Sequence, residues 1–295
     1  MPMLEGVFVP HVTPFDEDEN INGPVLRELV HHFINAGLNG LVSLGSNGEF
    51  PYLSFEEKLR VVEIVREEAP SKIPVIAGAT ENSTRETLRL GKALLELDAN
   101  ALLIGPPYYF KPSPEELFAH YSKLAEKLDG KILIYNVPKF MGLNIPIDII
   151  ERLAEEHSNI GGIKDSGANM GRIGELVRML GDRFIILAGT ADVMYPSWVL
   201  GAHGAVVAVA NVAPELCAEL WKAFKEGDHR KARELQLKVN LLNEVVVKKY
   251  SQISAIKAAM EMRGLKAGRP RLPSLPLDEK ALRDIESALK EVGLL

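Results

Sequence analysis

The chain has 295 residues, of which 46% are hydrophobic and 25% charged, and a formal net charge of −6, which is material for one large core and excludes a basic nucleic-acid face. A single cysteine, Cys217, excludes an internal disulfide. No basic leader opens the chain and no apolar run reaches membrane-spanning length, so the expectation is an unanchored cytoplasmic protein with neither nucleic acid nor membrane as partner.

Short β-rich apolar runs bounded by Gly, Pro or Asn alternate along the chain with amphipathic helical patterns. The first run is Val7–His11, followed by a helical pattern from Pro24 to Ile34. Gly40–Gly45 comes next, then a helix announced by Ser54 with Glu57 three residues on, the signature of a capping box. Pro74–Gly78 and Ala101–Pro106 are the third and fourth runs, and Ser113-Pro114 opens the helix after them as an N-cap followed by proline. Lys131–Asn136, Gly161–Asp165, Phe184–Gly189 and Gly204–Ala210 complete a set of eight, spaced by roughly 20 to 34 residues as parallel strand–helix units require. Eight such units, with no glycine-rich nucleotide fingerprint after the first, predict an α/β protein, a closed (β/α)8 TIM barrel over residues 1–213. Residues 214–295 carry helical patterns at Pro214–Glu226, Asp228–Val246, Ser251–Arg263 and Asp278–Val292, without a strand signal. They are expected to pack on the barrel as a C-terminal helical extension.

Active sites of parallel barrels collect at the C-terminal ends of the strands, which selects the polar residues that matter. Lys164 is the most informative, an amine near the end of the apolar run that starts at Asn159. Burial disfavours an ammonium, so a lysine held in such a place can attack a ketone as the free amine. The alternative is a lysine that snorkels to solvent or pairs with Asp165. Tyr135, closing the fifth run, can relay protons together with Ser46, or can simply pack. The turn Gly45-Ser46-Asn47-Gly48-Glu49 offers backbone N–H groups, a hydroxyl and an amide to a carboxylate, or is an ordinary connection. Tyr108 and Tyr109 follow the fourth run on a loop stiffened by Pro106, Pro107 and Pro112. Trp198, Trp221 and Phe224 read as core or subunit contacts. The seven histidines show no ligand spacing; His11 and His203 are candidates only for a metal assembled across strands, and no metal is expected. Cys217 reads as a small buried group, and no nucleophile triad or phosphate-binding motif is present.

Gly45-Ser46-Asn47-Gly48-Glu49, Tyr135-Asn136-Val137-Pro138, Gly161-Gly162-Ile163-Lys164-Asp165-Ser166 and Leu187-Ala188-Gly189, in this order on eight strand–helix units, resemble the pyruvate-dependent class I aldolase family of N-acetylneuraminate lyase and dihydrodipicolinate synthase. The resemblance covers nearly the whole chain. It implies that Lys164 forms an imine with pyruvate, that Tyr135 is the proton relay, and that Ser46 and Asn47 hold the pyruvate carboxylate, with Gly189 and Val207 as further substrate-binding positions. Tyr109 aligns with a tyrosine lent to the neighbouring subunit's site, which implies a homotetramer built as a dimer of dimers. No cofactor is implied. The lysine-pathway synthases carry an arginine two residues after the Pro of Tyr-Asn-Val-Pro to bind the second substrate's carboxylate; here that position is Phe140. The strings Gly45–Pro51 and Lys164–Gly167 look more like the 4-hydroxy-2-oxoglutarate aldolase branch, with sugar-acid aldolases close by. Lys139 or Arg172 would restore the missing charge, although both read as surface residues. The expectation is therefore a lyase acting on pyruvate and a 4-hydroxy-2-oxo acid. The alternatives are 4-hydroxy-tetrahydrodipicolinate synthase and, in another class, a non-catalytic 2-oxo acid binder.

Overall fold

The computed structural model describes residues 4–295, and among them eight parallel strands close into a barrel in chain order. They are β1 (Gly6–Pro10), β2 (Gly40–Ser43), β3 (Val75–Gly78), β4 (Ala101–Ile104), β5 (Ile132–Asn136), β6 (Ile160–Asp165), β7 (Ile185–Ala188) and β8 (Gly204–Val206). The helices between them are α1 (Gly23–Asn35), α2 (Phe55–Glu68), α3 (Thr84–Glu96), α4 (Pro114–Lys127), the short α5 (Pro138–Met141), α6 (Ile147–Glu156), α7 (Met170–Leu180) and α8 (Met194–Val199). The chain continues through α9 (Pro214–Lys225), α10 (His229–Asn243), a π-helical turn (Glu244–Lys249), α11 (Gln252–Met262) and α12 (Glu279–Val292). Both capping signals form as the sequence suggests, with Ser54 and Ser113 each exchanging hydrogen bonds with the glutamate three residues on.

The pleat sorts the strand residues into two layers. Phe8, Val42, Ile76, Leu103, Leu133 and Leu187 fill the barrel, while Val7, Leu41, Leu102, Ile134, Ile163 and Ile186 face the helices. Each such aliphatic side chain, fully removed from water, contributes roughly 1.5–3 kcal/mol before entropy is counted. Closure between β1 and β8 pairs Gly6 with Gly204, and a Cβ on Gly204 would lie 2.1 Å from the Gly6 carbonyl oxygen. Only glycine permits that approach.

Most predicted elements end within two residues of the observed ones, and two stop three or more residues early. The eighth strand stops at Val206 rather than Ala210, because Asn211 turns the chain there: its amide donates to the carbonyls of Pro10 and Ala208 and accepts from the Val12 N–H at 3.0 Å. The helix expected over Asp228–Val246 widens after Asn243 into the π-helical turn.

The C-terminal segment is stapled to the barrel by buried charge. Lys257 of α11, 1% exposed, lies 2.7 Å from the carboxylate of Glu49, which is fully buried in the loop after β2. Its ammonium also donates to the carbonyls of Thr13 and Arg269. Arg271 donates from its backbone to Glu49 and from its guanidinium to both oxygens of Glu57. Extension residues Leu220, Val239, Ile256 and Ile285 belong to the same apolar layer as the outward strand residues, so barrel and extension share one core. No helix among the described residues is long and apolar enough to cross a membrane.

Candidate active site

Parallel registry places Tyr135 of β5, Lys164 of β6 and Leu187 of β7 side by side on the inner face. Lys164 is 3% exposed, and its Nζ lies 4.2 Å from the centre of the Tyr135 ring. Asp165, the next residue, points the opposite way because successive strand side chains alternate. Its carboxylate is fully buried and accepts from Arg172 Nε at 2.7 Å, Asn136 Nδ2 at 2.8 Å and the Gly167 N–H at 2.9 Å. The Lys164–Asp165 pair that sequence order suggests is therefore excluded by the pleat. Arg172, expected at the surface, is instead the largely buried partner of Asp165 and also donates to the Ile145 carbonyl.

The Tyr135 phenol is buried, and it lines the same cavity as Ser46, Lys164 and Ser166. Burial pushes the phenol up, but the Lys164 charge and the polar side chains of Ser46, Lys164 and Ser166 around the hydroxyl together outweigh it and hold Tyr135 below the usual phenol value. Ser166 donates to the Gly189 carbonyl at 3.2 Å, and a Cβ on Gly189 would meet the Ser166 hydroxyl at 2.0 Å. Gly189 thus lets the β7 end close on Ser166. Ser46 and Asn47 begin a 3₁₀ turn, whose first N–H groups have no acceptor within the turn. The Asn47 side chain is otherwise engaged, its Oδ1 accepting from Gln252 at 2.7 Å.

These groups line a cavity of about 60 Å3 at the C-terminal end of the barrel, together with Thr190, whose buried hydroxyl has no hydrogen-bond partner among the described residues. A second, largely apolar compartment of about 260 Å3 adjoins it, and Ser46, Phe140 and Gln252 border both. Asn243, Val247 and Gln252 of the extension line the inner cavity. Nothing in the sequence pattern signals these three, since they lie far along the chain and inside helical patterns. Lys139, exposed at the rim, donates to the Val247 carbonyl at 3.0 Å and Gln252 Oε1 at 2.9 Å. Partial burial lowers its pKa from the ordinary lysine value, opposed by the nearby Tyr135.

The side chain of Val207 is buried in the outer layer against the helices, and it is the neighbouring Val206 that lines the cavity. Tyr109 is 79% exposed beside equally exposed Phe110, away from this chain's own cavity, while Tyr108 lines the outer compartment against Phe50. His11 is buried with one nitrogen 2.7 Å from the Ser43 hydroxyl and the other 3.0 Å from the Val12 carbonyl, and burial lowers its pKa to about 4, so it is a neutral structural group. His203 accepts from the Ile186 N–H. No cluster of three metal-ligating side chains occurs among the described residues. Cys217 is buried. Trp198, Trp221 and Phe224 pack on one another.

The profile of the Dihydrodipicolinate synthetase family matches residues 3–292. A 4-hydroxy-tetrahydrodipicolinate synthase of Methanopyrus kandleri is 39% identical over 293 residues, covering 99% of this chain and 97% of the relative. A crystal structure of dihydrodipicolinate synthase from Thermotoga maritima superposes with a TM-score of 0.95 at 34% identity, covering 99% of this chain and all of that one. The chloride-inhibited synthase from Acinetobacter baumannii, complexed with pyruvate, gives the same TM-score, identity and coverage. The chain belongs to the dihydrodipicolinate synthetase family, and so to the pyruvate-dependent class I aldolases, carbon–carbon lyases that work through a lysine Schiff base.

Proposed function

We propose that Lys164 forms the Schiff base with pyruvate and that the enzyme joins the resulting enamine to an aldehyde, with 4-hydroxy-tetrahydrodipicolinate synthase activity on aspartate semialdehyde as the first reading. The Lys164 amine attacks the C2 carbonyl of pyruvate, and water leaves as the imine forms. The protonated imine then draws electrons from C3; a C3 proton departs and the enamine carbon attacks the aldehyde, whose oxygen takes up a proton. Tyr135, between Ser46 and Ser166, carries these protons. The N–H groups of Ser46 and Asn47 hold the pyruvate carboxylate; the amino group of the condensed aspartate semialdehyde then attacks C2 and displaces the Lys164 amine as the ring closes, whereas with an aldehyde that carries no amino group water hydrolyses the product imine and returns the lysine. The observation that carries this reading is the Lys164 amine over the Tyr135 ring at the floor of the cavity. Relatives that match the chain end to end under the synthase name favour the condensing direction.

Phe140 favours a second reading, retro-aldol cleavage of a 4-hydroxy-2-oxo acid, because an aromatic ring at the rim cannot form the bidentate carboxylate contact of an arginine. In either reading Tyr109 and Phe110 reach a second copy in a cytoplasmic homotetramer built from dimers. Incubating the purified enzyme with pyruvate plus aspartate semialdehyde, and separately with 4-hydroxy-2-oxoglutarate, distinguishes the two by mass spectrometry of the products. Condensation in the first and slow or no pyruvate release in the second is the expected result; the reverse pattern replaces the synthase reading with the cleavage one.

A further inference from the structure

Two amines line the inner cavity, Lys164 and Lys139, and the proposed imine uses one. The buried and partly buried cations Lys257 and Arg172 have carboxylate partners, Glu49 and Asp165, whereas Lys139 stands at the exposed rim of the cavity. Lys139 differs. Its ammonium has three protons, of which two go to neutral oxygens, the Val247 carbonyl and the Gln252 side-chain amide. Tyr135 is the ionisable neighbour opposing its burial, and no carboxylate among the described residues forms an ion pair with it. Gln252 in turn donates to Asn47, so the three cavity-lining residues Asn47, Gln252 and Lys139 are joined in series and fix where the ammonium sits. The aromatic ring of Phe140, 5.4 Å from Lys139 Nζ, borders both compartments and brings no charge of its own. A fixed cation facing a cavity, with neutral protein partners and one proton to spare, is an anion site whose anion comes with the ligand.

We propose that Lys139 is the specificity-determining cation of this enzyme and holds a carboxylate on the aldehyde substrate. The proposal rests on the pyruvate–imine reading and names the substrate class of that same site: a carboxylate-bearing aldehyde, such as aspartate semialdehyde in condensation or the glyoxylate half of 4-hydroxy-2-oxoglutarate in cleavage. The Gln252 and Val247 oxygens aim the ammonium before the substrate arrives, which spares the ordering cost of a free lysine.

The test compares wild type with Lys139→Met and Lys139→Arg, using pyruvate with aspartate semialdehyde, glyoxylate, or glycolaldehyde, the last a neutral analogue of glyoxylate. In Lys139→Met the ratio of kcat/KM for the carboxylate-bearing aldehydes to that for glycolaldehyde falls about ten- to a hundred-fold, chiefly through KM, as loss of one charge-assisted hydrogen bond requires. Lys139→Arg recovers most of the ratio. The two anionic aldehydes separate the sources, since the physiological one shows the higher wild-type kcat/KM. A ratio unchanged in Lys139→Met, or lost equally in Lys139→Arg, overturns the proposal while leaving the imine reading standing, provided borohydride still traps pyruvate on wild type. Failure of wild type to trap pyruvate overturns both.

Discussion

Lys164 and Asp165 are adjacent in sequence and opposite in role because the strand pleat sends one into the barrel and the other toward the helices. Alternation was legible for Lys164 and Tyr135, which sit at inward positions of strands recognisable by their apolar runs. It was not applied to the last strand, where Val206 rather than Val207 faces the cavity, because the strand end lies four residues before the predicted one. Arg172 was illegible for another reason: the partner that sequence order offers to Asp165 is the adjacent Lys164, and only the alternation of faces turns Asp165 toward Arg172. Two expectations belong to this scale. Tyr135→Phe keeps the ring and removes the proton carrier, so steady-state kcat falls by roughly two to four orders of magnitude. Burial works against ionisation of the phenol, but the Lys164 charge and the polar groups of Ser46, Lys164 and Ser166 favour the phenolate and hold it below the usual phenol value. Removing that positive charge disfavours the ionised phenol, so in Lys164→Met the Tyr135 pKa rises. Ultraviolet difference titration, with Tyr135→Phe identifying the signal, checks the direction; an unchanged or lower value contradicts the proximity of the two groups.

At the scale of elements, capping boxes and strand runs are local and could be read from a few consecutive residues. The contacts that close the site are not. Glu49 sits in a turn whose sequence reads as an ordinary connection, yet its carboxylate is buried and answered by Lys257, more than 200 residues on. Desolvation disfavours both charges, so the pair is stable only while both are present. Lys257→Met alone leaves Glu49 buried and unpaired and costs about 3–5 kcal/mol in denaturant unfolding. Adding Glu49→Gln returns part of that loss, so the double variant is less destabilised than the sum of the two single ones. Additivity within error would mean that the two groups do not interact. The π-helical turn belongs to the same class of feature: a uniform helical pattern concealed a widened turn that carries Val247, which lines the cavity together with Asn243 at the end of α10.

For the whole molecule, the barrel was legible from the count and spacing of strand–helix units, and closure adds the glycine pair Gly6 and Gly204 that lets first and last strands meet. The boundary drawn at residue 213 separates elements that share a core and a cavity wall. A fragment ending there exposes the apolar face that Leu220, Val239 and Ile256 cover and lacks Lys257, Gln252 and Val247. Expressed alone it is expected to be aggregated or unfolded by circular dichroism; a cooperatively melting fragment would show the extension to be a separate unit. The claim on which the account depends is that Lys164 is the amine that takes pyruvate. Borohydride reduction of the full-length protein with pyruvate, followed by peptide mass spectrometry, tests it directly. The account predicts a stable adduct on the peptide containing Lys164 and none in Lys164→Met; no adduct, or one confined to Lys139 or Lys257, contradicts it.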